Sequence, residues 1–434
     1  MGFLSCPLPC QSIKRDPYQL QQDHDHDHLR SGDSLASNSS ISSQLSLPSV
    51  PSLTPPVEKS PSITNHHCLA TLKGHSSYIF SLALAGKHLL SGSSNSEIRL
   101  WNRDPSSSST HNLAHHNIVA QGYSAVKAIV VLGDKLFTAH QDQKIRVWKI
   151  NNEPTPSHQE SSTVYQTRLK CIATLPTAND RYMKLFSAKN YVQVRRHKKC
   201  TWVHHVDTVS ALALSENGSL LYSVSWDRTF KVWRTSDFKC LESVWNAHDD
   251  AINAIVLSNE GYVYTGSADR KIKVWKKHEG NKKHSLVATL EKHKSAVNAL
   301  AISTDGAVLY SGACDRSIIV WEKNDGGGGG SDDHMVVAGA LRGHTKAILC
   351  LTVVSDLLCS GSADKTVRIW KRGIEKSFSC LTVFEGHSGP VKCLTASVDS
   401  KNVKDVTEYG TSYMVYSGSL DFDIKIWQFW VPNS

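Results

Sequence analysis

His344, Ser360 and Asp364 are the three residue types of a hydrolytic triad, in which a histidine takes a serine's proton while a carboxylate holds the imidazole. Trp370 follows them. The same set recurs as His205/Ser223/Asp227/Trp233, His248/Thr265/Asp269/Trp275, His293/Ser311/Asp315/Trp321 and His387/Ser417/Asp421/Trp427. Hydrolysis needs such a site once. A set present five times points to a bond that each unit needs for its own structure. No non-repeating acid, base, nucleophile or metal cluster stands beside these sets, so an enzyme is not the expected reading and no cofactor is expected.

Each set lies in a recurring stretch. "TGSADRKIKVW" (Thr265–Trp275) returns as "SGSADKTVRIW" (Ser360–Trp370), and variants end on Trp101, Trp148, Trp233, Trp321 and Trp427, which makes seven copies. In each, a small-residue strand meets a turn at the Asp, and an alternating strand ends on the Trp. About 20 residues upstream of most copies sits a second mark: His75, His205, His248, His293, His344 or His387, followed at +4 and +7 by apolar residues. In the second copy that register falls on Gly122, and the first copy has Asn95 in place of Asp.

A unit of about 45 residues with four strands and a Gly-His…Trp-Asp pattern resembles the WD40-repeat family. The resemblance covers roughly residues 66–434. The Ser-rich leader, "LKGHSSYIFSLAL" and an inserted "NYVQVRRHKK" are similar to the plant JINGUBANG-type WD40 proteins. The resemblance implies an all-β fold, a seven-bladed propeller, and a plant regulatory or developmental factor (pollen-related as one form of it) without chemistry of its own. It also implies that the recurrent residues hydrogen-bond in a chain, Trp to Ser or Thr, then His, then Asp. Blades with incomplete sets, the first two, are expected to be the loosest.

Packing seven four-stranded sheets around an axis buries each face against a neighbour. Only "QFWVPNS" follows Trp427, so the outer strand of the last blade is expected from the start of the repeat region, "CLATL" (Cys68–Leu72). Two stretches compete for the outer strand of the second blade: "CIATL" (Cys171–Leu175) and "CTWV" (Cys200–Val203). The likeness of "CIATLP" to "CLATLK" favours the first, which sets the insertion at 176–199 on the face of the Asp turns, beside Trp226.

Residues 1–65 are Ser- and Pro-rich with few large apolar groups, and are expected to be a disordered leader. "DHDHDH" (Asp23–His28) has no preformed ligand geometry. Thr54 and Ser60 precede prolines and are phosphorylation candidates. Gly2, Cys6 and Cys10 are weak lipidation candidates, because Cys6 stands where a myristoylation signal has Ser or Thr. No secretory signal opens the chain and no apolar run reaches membrane-spanning length. The eleven cysteines are scattered, which reads as reduced, buried thiols in a cytoplasmic or nuclear protein.

Function is expected in the residues that do not repeat. Before the Asp of each turn the chain has small or medium residues except for Trp226. Five positions past the His register it has Phe80, Lys127, Ser210, Asn253, Asn298, Leu349 and Lys392, and Tyr78 precedes Phe80 by two. Tyr78, Phe80 and Trp226 with Lys127 and Lys392 are candidates for docking a protein or peptide of apolar and acidic character, since aromatic residues dominate interface energetics. Each singly also reads as strand packing. The insertion carries seven Lys or Arg against one acid, so it supplies +6 of the net charge of +9. Arg195, Arg196, Lys198 and Lys199 then read as a solvated face, a site for an acidic partner, or a binder of nucleic acid or anionic membrane. Partner proteins are the expected ligands, nucleic acid is not, and the propeller is expected to be monomeric.

Overall fold

The computed structural model describes residues 50–54, 66–103, 117–155, 164–185, 191–195, 198–323, 335–373, 376–399 and 410–432, with the side chains of 152–167, 185 and 193–199 outside the description. The Gly-rich stretch 326–330, "DHDHDH", Ser60, Gly2, Cys6 and Cys10 all fall outside the described residues.

The strands follow the chain in groups of four. The first, β1 (His66–Leu72), precedes blade one, which holds β2 (Ile79–Ala85), β3 (His88–Ser93), β4 (Glu97–Asn102) and β5 (Ile118–Gln121). Blade two holds β6 (Val126–Leu132), β7 (Lys135–His140), β8 (Ile145–Thr155) and β9 (Val164–Leu175). The insertion follows as α1 (Ala178–Leu185) and a two-stranded hairpin, β10 (Tyr191–Arg195) with β11 (Lys198–Thr201). Blade three holds β12 (Val209–Leu214), β13 (Leu220–Ser225), β14 (Phe230–Arg234) and β15 (Cys240–Val244). Blade four holds β16 (Ile252–Leu257), β17 (Tyr262–Ser267), β18 (Ile272–Lys276) and β19 (Ser285–Leu290). Blade five holds β20 (Val297–Ile302), β21 (Val308–Ala313), β22 (Ile318–Lys323) and β23 (Met335–Leu341). Blade six holds β24 (Ile348–Val354), β25 (Leu357–Ser362), β26 (Val367–Arg372) and β27 (Phe378–Phe384). In blade seven, β28 (Val391–Val398), β29 (Thr411–Ser419) and β30 (Ile424–Val431) are completed by β1.

Every blade is an antiparallel meander, and the expected closure is present. Cys68 pairs with Trp427 and Leu72 with Ile424, so β1 supplies the outer strand of the last blade. Inner strands touch in sequence around the ring, including β2 with β28. Seven apolar clusters fill the junctions between neighbouring blades. The small residues of the repeat follow from this packing. A Cβ added at Gly418 would stand 2.9 Å from Ile79 Cγ2 of the next blade, and one at Gly312 would collide with Ile348. The glycine lets the next inner strand approach.

The Asp turns are built alike. The residue after the Asp, or after Asn95, has positive φ in all seven blades: Ser96, Gln143, Arg228, Arg270, Arg316, Lys365 and Phe422. That left-handed residue reverses the chain between the middle strands. Asp364 Oδ1, for example, accepts from Thr366 N at 3.0 Å while Asp364 N donates to Ser362 Oγ at 3.1 Å.

"CIATL" is the outer strand of blade two, with Trp148 opposite Cys171 and Ile145 opposite Leu175. The partners β8 and β9 run on to the pair Thr155/Val164, which the sequence reading did not anticipate.

Two expectations need correction. Residues 50–54, placed in a disordered leader, lie on the outer strand of blade five, where Leu53 N donates to Ala340 O at 2.9 Å and Ala340 N donates to Pro51 O at 2.9 Å. An outer strand has an unpaired edge, and Val50 and Leu53 are spaced to bury apolar groups on it. Residues 1–49 and 55–65 are outside the described residues. The nine described cysteines form no disulfide with one another and are not uniformly buried: Cys68 and Cys171 are exposed, and Cys200, Cys314 and Cys380 are half-buried. Cys68, Cys171 and Cys380 lie on the outer strands β1, β9 and β27 at the rim of the ring, Cys200 on the hairpin of the insertion and Cys314 in an Asp turn.

Candidate functional site

The triad-like sets form one hydrogen-bond chain per blade. In blade six, Trp370 Nε1 donates to Ser360 Oγ at 2.8 Å, Ser360 Oγ lies 2.8 Å from His344 Nε2, and His344 Nδ1 lies 2.8 Å from Asp364 Oδ2. Blades three, four, five and seven repeat it with Trp233/Ser223/His205/Asp227, Trp275/Thr265/His248/Asp269, Trp321/Ser311/His293/Asp315 and Trp427/Ser417/His387/Asp421. An ionised carboxylate only accepts, so His Nδ1 donates to it and Nε2 accepts the hydrogen bond donated by the Ser or Thr hydroxyl. Burial lowers the pKa of His205 and of His344, which keeps both rings neutral and fixes that order. Burial opposes the charge on Asp364, but hydrogen bonds from His344 and Thr366 outweigh it and hold the carboxyl well below the usual carboxylate range. The hydroxyls of Ser223, Thr265, Ser311, Ser360 and Ser417 belong to fully buried residues. None is open to solvent, and each set bonds the residues of its own turn.

Blades one and two keep the chain with different partners. In blade two, His140 replaces the missing register histidine: its Nε2 lies 2.7 Å from Thr138 Oγ1, to which Trp148 Nε1 donates at 2.8 Å, and its Nδ1 donates to Ser124 O at 3.1 Å. In blade one, Trp101 and His75 both reach Ser91 Oγ at 2.7 Å. Asn95 turns away and donates to Ser76 Oγ. Glu97 Oε2 stands 3.6 Å from His75 Nδ1, which has no hydrogen-bond partner among the described residues.

The five-past-His position differs between blades one and two and blades three to five. In blades three to five it stitches inner strands: Ser210 Oγ donates to Ile252 O, Asn253 Nδ2 to Val297 O at 3.0 Å and Asn298 Nδ2 to Ile348 O at 2.8 Å. In blades one and two it carries Phe80 and Lys127. Lys127 Nζ lies 4.0 Å from the centre of the Phe80 ring and 5.7 Å from that of Trp226. Tyr78 continues the row, 6.4 Å from Phe80 and 5.5 Å from Phe422 between ring centres. The row Phe422–Tyr78–Phe80–Lys127–Trp226 crosses blades seven, one, two and three. Tyr78 is 43% exposed and Phe422 39%, while the other three are half-buried. Apolar rings beside one cation suit an apolar peptide bearing a carboxylate.

Phe422 was missed by the sequence reading. Its signal was available: the residue after the Asp is Ser, Gln, Arg or Lys elsewhere and aromatic only here. Tyr123, 94% exposed with Arg146 6.0 Å from its ring centre, was also missed. Lys392 stands half-buried on β28, within electrostatic reach of Cys350 and Cys393, and no described ring contact joins it to the row.

The insertion leaves blade two at the end where the Asp turns lie. Thr177 Oγ1 accepts from Asp180 N at 3.1 Å and caps α1, a local signal for the helix that the sequence reading passed over. Asp180 Oδ2 accepts from Cys240 N at 2.8 Å, Lys184 Nζ lies 5.2 Å from the centre of the Trp202 ring, and Arg181 lines a small recess with His204 and Asp142. These contacts tie α1 to blade three at Cys240 and Trp202; none of them reaches Trp226, beside which the insertion was expected. Arg195, Lys198 and Lys199 lie in the hairpin with their side chains outside the description, and Arg196 lies outside the described residues.

Among the described residues, no group of three or more His, Cys, Asp or Glu is placed to hold a metal, and no helix is long and apolar enough to cross a membrane.

Known proteins resemble the chain in parts. It is 32% identical over 184 residues to Protein ROOT INITIATION DEFECTIVE 3 of Arabidopsis thaliana, covering 39% of this chain and 40% of that one. It is 34% identical over 96 residues to WD repeat-containing protein pop2 of Schizosaccharomyces pombe, covering 21% of this chain and 13% of that one. The chain thus spans less than half the length of these curated relatives. The model of the family described as "WD domain, G-beta repeat" matches residues 66–102, 197–234, 238–276, 284–322, 335–371 and 378–428. Those stretches are blades one and three to seven; blade two, whose register histidine is absent, has the same four-stranded sheet and a hydrogen-bond chain closed by His140. The chain belongs to the WD40 repeat family.

Proposed function

We propose that the protein is a non-enzymatic scaffold that binds partner proteins or peptides on the face bearing the Asp turns, with Phe422, Tyr78, Phe80, Lys127 and Trp226 as the docking row. Propellers of this family typically bind other proteins. The observation that carries the reading is the exchange at one register position. Where blades three to five spend it on inter-blade hydrogen bonds, blades one and two place a ring and a cation there, in contact with each other. The partner segment is apolar with an acidic group, the acid set against Lys127. A regulatory role in a plant, developmental in kind, is supported by the partial likeness to the Arabidopsis protein.

The test is proximity labelling with the wild-type chain and with Trp226→Ala, Tyr78→Ala and Lys127→Met side by side, at matched melting temperature. The expected outcome is loss of one shared set of neighbours in all three variants. Retention of the full set in each of them would remove the row from the interface. The quadruple change Arg195→Ala, Arg196→Ala, Lys198→Ala and Lys199→Ala, read over a salt series, separates this reading from a polyanion binder. Only polyanion binding would fall steeply with salt and with that change.

A further inference from the structure

The outer strand of blade five carries a short strap. Ser52 pairs with Ala340 in parallel register, held by the two backbone bonds between Ala340 and residues 51 and 53. Phe378 N, at the start of β27, donates to Leu53 O at 3.1 Å, and Arg342 Nη2 donates to Val50 O at 3.2 Å. Val50 packs on the cluster between blades four and five, and Leu53 on the cluster between blades five and six. The strap therefore crosses from one junction to the next.

One residue makes room for it. A Cβ on Gly339 would stand 2.7 Å from Leu53 Cδ2 and closer still to its Cγ. Gly339 faces Val320, the residue before the blade's Trp. The residues in that register in other blades are Ala70, Ala173, Glu242, Ala288 and Thr382. Glycine stands there in blade five, and Leu53 fills the space that a side chain would take. Pro51 has its φ fixed by its ring, which lowers the entropy that the segment loses on docking. Pro51 lacks an N–H and presents only the carbonyl that Ala340 uses.

We propose that the edge of β23 with the Gly339 notch is a binding site for an extended peptide of the pattern apolar-Pro-x-apolar, and that Val50–Leu53 occupies it in cis. A partner segment of the same pattern enters only in exchange for the strap. The site is separate from the aromatic row and does not depend on it.

The experiment uses the full chain and a fluorescent peptide of residues 46–57. The variant Leu53→Asp empties the notch in cis, and the peptide is expected to bind it about tenfold more tightly than it binds wild type, as the loss of the partly buried Leu53 contact implies. Adding Gly339→Val should return binding to the wild-type level or below. A peptide carrying Asp for Leu53 probes the same notch without altering the protein, and should not bind. Amide exchange at Ala340 and Phe378 should be slow in wild type and about tenfold faster in Leu53→Asp. Equal peptide affinity for wild type and Leu53→Asp, equal binding of the Asp-bearing peptide, or exchange at Ala340 unchanged by Leu53→Asp would each overturn the proposal.

Discussion

His140 Nε2 lies 2.7 Å from Thr138 Oγ1, two residues earlier on the same strand, so blade two closes its hydrogen-bond chain from within β7 and needs no histidine in the preceding loop. His140 and Thr138 are both fully buried. Changing His140→Ala should destabilise the protein by about 1–3 kcal/mol, because the fully buried Thr138 hydroxyl loses a partner. Urea unfolding checks this. A loss below about 0.5 kcal/mol would mean that the bond braces nothing.

Acid should destabilise the protein through its buried histidines, those of blades one and two included. Burial, with help from Arg99, lowers the His75 pKa to about 3, and burial with Arg146 lowers that of His140 to about 4. Both lie below the unfolded value of 6.5, so the folded state favours the neutral rings. Their contribution is fully present above pH 6.5 and is lost as pH falls from there toward the folded values, at up to about 1.4 kcal/mol per pH unit for each ring. The paired aspartates lose theirs at still lower pH, since their pKa values are depressed from 3.8. Melting temperature measured from pH 7 to 4 should fall, and His140→Gln should flatten the slope. An unchanged slope in that variant would refute the assignment.

Phe422 holds φ of 73°, a conformation that a bulky residue adopts at a cost. Phe422→Gly should leave stability unchanged or raise it by about 0.5–1 kcal/mol, the backbone gain offsetting lost ring contact. The same change should weaken partner capture through loss of the ring 5.5 Å from Tyr78. A variant both destabilised and fully binding would reverse both halves of this expectation.

Ring closure rests on the pairing of β1 with β30. Ala70→Pro together with Thr71→Pro removes at least one backbone donor opposite Ile426 and Lys425, because successive N–H groups point to opposite sides of a strand, and should cost about 1–3 kcal/mol, with cooperative loss of the whole propeller. Calorimetry showing a wild-type transition would mean that the ring does not depend on this strand.

Much of the architecture was legible in the order of residues. Seven registered copies of a Trp-ended strand impose seven sheets, and the likeness of Cys68–Leu72 to the other outer strands marked it for the last blade, where it pairs with β30. Trp226 stood out because six equivalents are small or medium. Repetition makes such readings possible: each copy states the local rule, and a departure shows against it. What the copies do not share could not be read that way. His140 enters its network because β7 brings it to Thr138 and Trp148, a substitution visible only in space. Phe422 matters through Tyr78, more than 340 positions away in the chain, and Lys127 through rings of blades one and three. Val50–Thr54 looked too poor in apolar groups to fold alone, which holds for an isolated segment. Its two apolar side chains and its backbone carbonyls find partners only on an edge already assembled by blades five and six. Contacts between remote residues are decided by the closed ring, because a local pattern specifies a strand and its faces but not which neighbour will cover them.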